Sequence, residues 1–356
     1  MQTDVSQILD VLEAAYQQIP DDASWLHGVA SRFDAALGDG SGTIAVLQNL
    51  EPGAPRRFEE AVGVGMGDWW RQQLAVFENI PRSTYQAFAR GGSVYYWSQL
   101  HEAITAHEPE AAAYFAAQAR AMFGMTDAEL FARARAGDPI YTALPLERMG
   151  IACLDGGGRG VGVVIPLRRV AERPLSDAER DVWGRVAAHV ATAARLRRRS
   201  AGDEAPIEAV VTPSGRVEHA VGAATSARAR EILRAAAVSQ DRARARGVMG
   251  RDLAFATEHW RALVAGRWSL VDAFERDGRR YLVARANEPR VGGHARLTAR
   301  EAQVASYVAL GHANKLIAYE LGLSPATIAG HVARAQKKLG ATSRAELVLL
   351  LRDARG

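Results

Sequence analysis

The stretch "GLSPATIAGHVARAQKKLG", Gly322 to Gly340, decides the reading of this chain. Ser324 followed by Pro325 is a helix start: a capping hydroxyl, then a residue whose missing N–H costs nothing in the first turn. Ile328, Val332, Ala335 and Leu339 recur at helical spacing and predict one buried stripe. That stripe turns Ala329, Gly330, Ala333 and Arg334 outward and leaves Lys337 and Lys338 at the far end. The outward face is basic at its end and nearly bare in its middle, so it is not obvious what such a helix could read.

The flanking segments are helical and sharply punctuated. "LTAREAQVASYVALG" opens on a capping box, Thr298 with Glu301, and ends at Gly311. "NKLIAYELG" is a short helix ending at Gly322, and "SRAELVLLLRDA" opens on Ser343 with Glu346. Four short helices with a tight Gly-Leu-Ser turn between the second and third make an all-α helix-turn-helix domain, placed at residues 296–356. Residues 297–356 hold eight Lys/Arg and four Asp/Glu, and the rest of the chain holds 36 of each, so the whole net charge of +4 lies in this module. A compact basic module on a neutral chain suits a polyanion partner, because each neutralised phosphate releases condensed counterions.

This segment resembles the DNA-binding domain of LuxR-type (GerE-type) transcriptional regulators. The matching residues are Leu297, Thr298, Arg300, Glu301, Val304, Gly311, Asn314, Lys315, Ile317, Ala318, Leu321, Ser324, Thr327, Ile328, His331, Lys338, Leu339, Gly340, Ser343 and Arg344, without a gap. The resemblance implies a homodimer that sets paired third helices on two half-sites of a pseudo-palindromic double-stranded DNA operator, and a contact with RNA polymerase. The residues it assigns to DNA are Lys315, Ser324, Thr327, Ala329, Gly330, His331, Ala333, Arg334, Lys337 and Lys338. It assigns the dimer contact to the fourth helix, where Leu347, Leu350 and Leu351 form an apolar ridge that looks too large for so small a domain to bury. Two positions depart from the family pattern: Ala313 stands where a capping Ser is usual, and Ala329 where a Lys is usual.

Residues 1–200 mix helices and strands. Helices are expected over Val5–Gln18 and Ser24–Leu37, then a strand at "TIAVLQNL" with a hairpin partner in "RRFEEAVGVG". A long helical stretch is expected from Asp68 to about Ala136, then strands in "GIACLDGGGRGVGVVIPLRR". A helix capped by Ser176 and Glu179 closes the region at the cluster Arg195, Arg197, Arg198 and Arg199. This order resembles a GAF domain, a six-stranded antiparallel sheet with a ligand pocket beneath the helical excursion. The resemblance makes Trp69, Trp70, Tyr85, Phe88, Tyr95, Trp97 and Phe115 candidates to line an apolar effector pocket. Residues 205–290 pair two short strands around a Pro-Ser-Gly turn with an arginine-rich helix and further strands around an Asp-Gly turn, which resembles a degenerate PAS-like module. The fold class is thus multidomain α+β.

Several stretches look chemical at first sight. In "HEAITAHE", His101 and His107 are six residues apart, and two zinc ligands on one helix face need three or four. "DGGGRG" precedes a strand, not the helix N-terminus that a phosphate loop needs, and reads as a hairpin turn. Cys153, the single cysteine, lies among Ile151, Ala152 and Leu154 and reads as an inert buried thiol. There is no Ser-His-Asp arrangement, nucleophile elbow or nucleotide loop in the sequence.

The expectation is therefore a non-enzymatic, cytoplasmic regulator with no cofactor or metal, controlled by a small-molecule effector. No apolar run reaches the roughly 18–20 residues that span a bilayer. Two alternatives stay open: a signalling enzyme tethered to DNA, and a ligand-independent regulator whose front domains only dimerise.

Overall fold

The protein was analysed as a computed structural model that describes residues 5–17, 19–49, 58–68, 70–71, 74–75, 93–97, 109–136, 138, 147–154, 159–167, 175–200, 207–244, 268–276, 279–286 and 297–353. Its N-terminal elements are α1 (Val5–Tyr16), α2 (Asp22–Leu37), β1 (Thr43–Asn49), β2 (Phe58–Val64), β3 (Val94–Tyr96), α3 (Pro109–Phe123), α4 (Asp127–Arg135), β4 (Glu147–Leu154), β5 (Arg159–Leu167) and α5 (Asp177–Ser200). The strands form an antiparallel sheet in the order β2-β1-β5-β4-β3.

Two expectations change here. The sheet has five strands among the described residues, where the resemblance implied six. The stretch expected to be helical from Asp68 contains strand β3, because Val94, Tyr95 and Tyr96 are β-branched and aromatic and find a free sheet edge on β4. The histidines of "HEAITAHE" lie outside the described residues.

One face of the sheet supplies Ala45, Leu47, Met149, Ile151, Cys153, Val161, Val163 and Ile165 to a core closed by α1, α2 and α5. Cys153 is fully buried there, and burial pushes its thiol up, so it is an inert core residue. The predicted capping box of α5 forms: Ser176 Oγ accepts from Glu179 N–H at 3.3 Å, and Ser176 N–H donates to Glu179 Oε2 at 2.9 Å.

Residues 186–194 of α5 are buried all round, the pattern of a helix packed on every side. Trp183, Val186 and Val190 face the sheet core, while other residues of α5 meet β8 and α8, described below. Its C-terminal end is tied down as well. Arg197 pairs with Asp22 at 2.7 Å, donates to the carbonyl of Ile19 at 2.6 Å and stacks 4.8 Å from the Trp25 ring.

The middle of the chain forms β6 (Ile207–Val211), β7 (Val217–Ala220), α6 (Ala227–Arg244), β8 (Trp268–Arg276) and β9 (Arg279–Ala286), with sheet order β7-β6-β9-β8. Gly215, at φ +87°, makes the predicted turn between β6 and β7, where the Thr212 and Arg216 backbones pair. Leu233, Ala236 and Ala237 of α6 pack on Val211, Leu270 and Leu282.

The C-terminal module is all helical: α7 (Ala299–Ala309), α8 (Asn314–Leu321), α9 (Pro325–Leu339) and α10 (Arg344–Asp353). It has its own core of Val304, Val308, Ile317, Ile328, Val332, Ala335, Leu347 and Leu351. This corrects the expected dimer ridge, since Leu347 and Leu351 are 0% and 2% exposed. They lie one turn apart on the face with which α10 packs back across α7, so the domain buries them itself, and only Leu350 is half-buried.

Leu347→Ala should cost about 2–5 kcal/mol, the range for a leucine truncated in a closed core. Leu350→Ala should cost far less, and denaturant unfolding of the two variants followed by circular dichroism checks the order.

Candidate nucleic-acid interface

The helix-turn-helix is built by local rules that the sequence satisfies one after another. Thr298 and Glu301 form the reciprocal capping box of α7. Gly322 ends α8 in the left-handed conformation, φ +62°, which a side chain would resist. Ser324 then caps α9 by accepting from Thr327 N–H at 3.0 Å, with Pro325 in the first turn.

At the start of α8 the cap residue is Ala313, and no side chain accepts from the first turn. Asn314 does not take over that role. Its Oδ1 accepts from Arg344 Nη1 at 2.7 Å, and Arg344 Nη2 reaches the carbonyl of His312 at 2.5 Å, so α10 secures the loop instead. Beside it, His312 Nδ1 lies 2.9 Å from Glu320 Oε1, both buried. The expected box at Ser343 forms on one side only. Ser343 Oγ accepts from Glu346 N–H at 3.1 Å, but the Glu346 carboxylate turns to Thr342, one residue earlier.

Helix α9 presents the face that its periodicity demands. Ile328, Val332 and Ala335 are buried, while Thr327, Ala329, Ala333, Arg334 and Lys337 are exposed and Gly330 and His331 are half-buried. The bare middle of this face is not bare in three dimensions. The Arg334 guanidinium folds back over Gly330, where an added Cβ would lie 3.4 Å from Nη1. It donates to His331 Nδ1 at 3.0 Å and pairs through Nε with Glu301 at 3.4 Å. A Cβ at position 330 would thus meet the guanidinium at ordinary contact distance.

Glu301 is the residue that sequence reasoning undervalued. Beyond its capping role it pairs with Lys338 at 2.6 Å and with Arg334, while its own side chain is 4% exposed. The Lys338 ammonium, with help from the Thr298 amide and hydroxyl, holds this carboxyl down at about 2. Lys338, assigned to DNA by the resemblance, is thus engaged in an ion pair within the domain. Lys315 makes an exposed ion pair with Asp181 of α5 at 3.1 Å. Lys337 remains exposed at the C-terminal end of α9. The only sequence signal for this arrangement was the recurrence of basic residues opposite an acidic helix start.

Residues 295–351 match the family of bacterial regulatory proteins, luxR family. The match coincides with the helix-turn-helix just described and supports a LuxR-type, DNA-binding transcriptional regulator. A comparison with curated proteins finds no match for the chain. No helix among the described residues is long and apolar enough to cross a membrane.

The candidate effector residues of the N-terminal region are dispersed. Trp69, Tyr85 and Phe88 lie outside the described residues. Trp97 and Phe115 are buried against each other, ring centroids 4.8 Å apart and edge to face. Trp70 covers Gly63 and Tyr95 covers Gly150, each so closely that a Cβ on the glycine would sit within 2.5 Å of the ring.

Because the folded pKa of Glu301 lies below its ordinary value near 4.5, its ion pairs stabilise the LuxR-type domain fully above that pH. The stabilisation should disappear as the pH falls towards 2, and Glu301→Gln should flatten this dependence in thermal unfolding across an acid series. Gly330→Ala should improve helix propensity by roughly 1 kcal/mol. The added Cβ meets the Arg334 guanidinium at ordinary contact distance, so stability should rise with sequence discrimination on DNA little changed, as measured by paired melting and binding titrations.

Proposed function

We propose that the chain is a homodimeric regulator that reads double-stranded DNA with α9 and is controlled by a small molecule bound to its N-terminal, GAF-like domain. This reading makes it a binding protein and assigns it no reaction. The observation that carries it is the LuxR-type domain with its outward α9 face open and one long polar side chain, Arg334, laid across it. A single guanidinium can hydrogen-bond a guanine edge through two N–H groups, and the methyls of Thr327, Ala329 and Ala333 suit thymine. Ser324 and the N-terminal amides of α9 would suit a backbone phosphate, as would Lys337 at the other end.

The sensor reading is supported by the second face of the N-terminal sheet. Gly63, Ile44, Val164, Gly150 and Tyr95 follow one another across the strands in register. The glycines lower the floor at two points, and Trp70 and Tyr95 stand over them, which gives an apolar surface with flat aromatic walls. A PAS-like role for residues 207–286 and an RNA polymerase contact belong to the same reading. Dimerisation through α10 would rest on half-buried Leu350 rather than on a broad ridge.

Titrating the full chain with its operator and with random duplex across a salt series tests this function. Arg334→Ala should cost about 1–3 kcal/mol at one base position. Lys337→Ala should weaken binding to all sequences alike and reduce the salt slope by roughly 0.9. Absence of binding to any duplex rules the function out, and native mass spectrometry of the purified chain should reveal a retained small molecule.

A further inference from the structure

Arg334 is held along one edge of its guanidinium and open along another. Its Nη2 donates to His331 Nδ1 at 3.0 Å, and its Nε lies 3.4 Å from Glu301 Oε1. In the planar fork those two nitrogens carry parallel N–H groups on one side. The end of the fork, Nη1 with the second N–H of Nη2, has no protein partner among the described residues. Two adjacent N–H groups are what a bidentate contact with a guanine edge uses.

The same bond fixes the state of the His331 ring. A guanidinium offers N–H donors and no acceptor, so Nδ1 has to accept, which leaves the imidazole neutral with its proton on Nε2. The surroundings keep it so. Half-burial, then the Arg334 and Arg300 guanidiniums, lower its pKa from the ordinary histidine value of 6.5, and Glu301 pulls the other way. The other two helices packed on α9 turn their described charges to partners of their own. Lys315 and Glu320 of α8 meet Asp181 and His312, and Arg344 and Glu346 of α10 meet Asn314 and Thr342. We infer that His331 is a positioning residue for sequence readout: as a neutral acceptor it holds the Arg334 fork, together with Glu301, so that the open end is set for a base before DNA arrives.

Such a hold matters because Arg334 is long and its side chain is 53% exposed. A loose arginine gives up its rotamers on binding and a pinned one does not, a difference of roughly two- to tenfold in affinity. That difference applies only to sequences that accept the fork, so it acts on discrimination and not on the general attraction to phosphate. Protonation of His331 removes it, by setting a donor where the acceptor was and a positive charge against the guanidinium. Since the neutral ring makes the bond, the hold is complete above the ordinary histidine value and is lost as the pH falls through the lowered one. Glu301, held down at about 2, stays ionised throughout that window, so the imidazole is the member of the trio that titrates.

This inference rests on the reading of Arg334 as the base-contacting residue. The full chain is titrated by fluorescence anisotropy, at fixed salt and between about pH 5 and pH 8, against a duplex that it enriches from a randomised pool and against the same bases scrambled. The ratio of the two affinities is the readout, because general phosphate attraction cancels in it. Wild type should lose roughly two- to tenfold in this ratio towards the acid end. His331→Asn, whose amide oxygen can accept in place of Nδ1 and does not titrate, should hold the ratio level. His331→Phe and Arg334→Ala should keep it low at every pH, and wild type with Arg334→Ala decides the matter if a His331 variant misfolds. A wild-type ratio that does not fall towards acid, or a His331→Asn ratio that falls with it, overturns the positioning role. The base contact of Arg334 then stands as long as Arg334→Ala lowers the ratio. An Arg334→Ala ratio equal to that of wild type removes both, and a wild-type chain that binds neither duplex removes the DNA-binding function as well.

Discussion

A neutral imidazole buried between two phenols joins the parts of this molecule. Burial holds His189 near a pKa of 3, so the ring keeps one donor and one acceptor at ordinary pH, and a tyrosine hydroxyl can serve either. One partner, Tyr16, belongs to the first helix of the chain and the other, Tyr319, to the helix-turn-helix. An apolar residue at 189 could fill the volume without fixing the registration of three helices. A charged one would have to be desolvated without a counter-ion. The all-round burial of α5 is a consequence: a helix that touches the sheet core, the middle sheet and α8 has no solvent face left over residues 186–194.

How much of this could be read from the amino-acid order depended on the range of the interaction. The caps at Thr298, Ser324 and Ser176, the glycine stop at Gly322 and the buried stripe of α9 are interactions within four residues, and each was legible. The β3 strand was missed because its pairing partner is β4, more than fifty residues away, while its surroundings are rich in helix formers. The burial of Leu347 and Leu351 was missed for a similar reason. Leu347, Leu350 and Leu351 on a short helix suggest a free ridge until the angle at which α10 returns across α7 is known.

The site itself shows the same division. That Ala329, Gly330 and Ala333 face outward follows from period alone, and so does the exposure of Arg334. What Arg334 does with its length does not follow. Its return over Gly330 and its bond to His331 depend on a rotamer, and its pairing with Glu301 depends on the packing of α9 against α7. Lys315 and Lys338 likewise look like free cations in the sequence, yet each has an acidic partner outside its own helix: Asp181 of α5 for Lys315 and Glu301 of α7 for Lys338.

Glu301 bears on how such a protein would search a genome. Indiscriminate affinity for duplex DNA grows with the number of phosphates a protein neutralises, and an internal carboxylate shared by Lys338 and Arg334 subtracts from that number. The count of basic residues in the module therefore overstates its attraction to arbitrary sequence. A chain so compensated spends less of its time trapped among the roughly 10⁶–10⁹ competing sites of a genome, and a modest preference for its own operator is enough to find it.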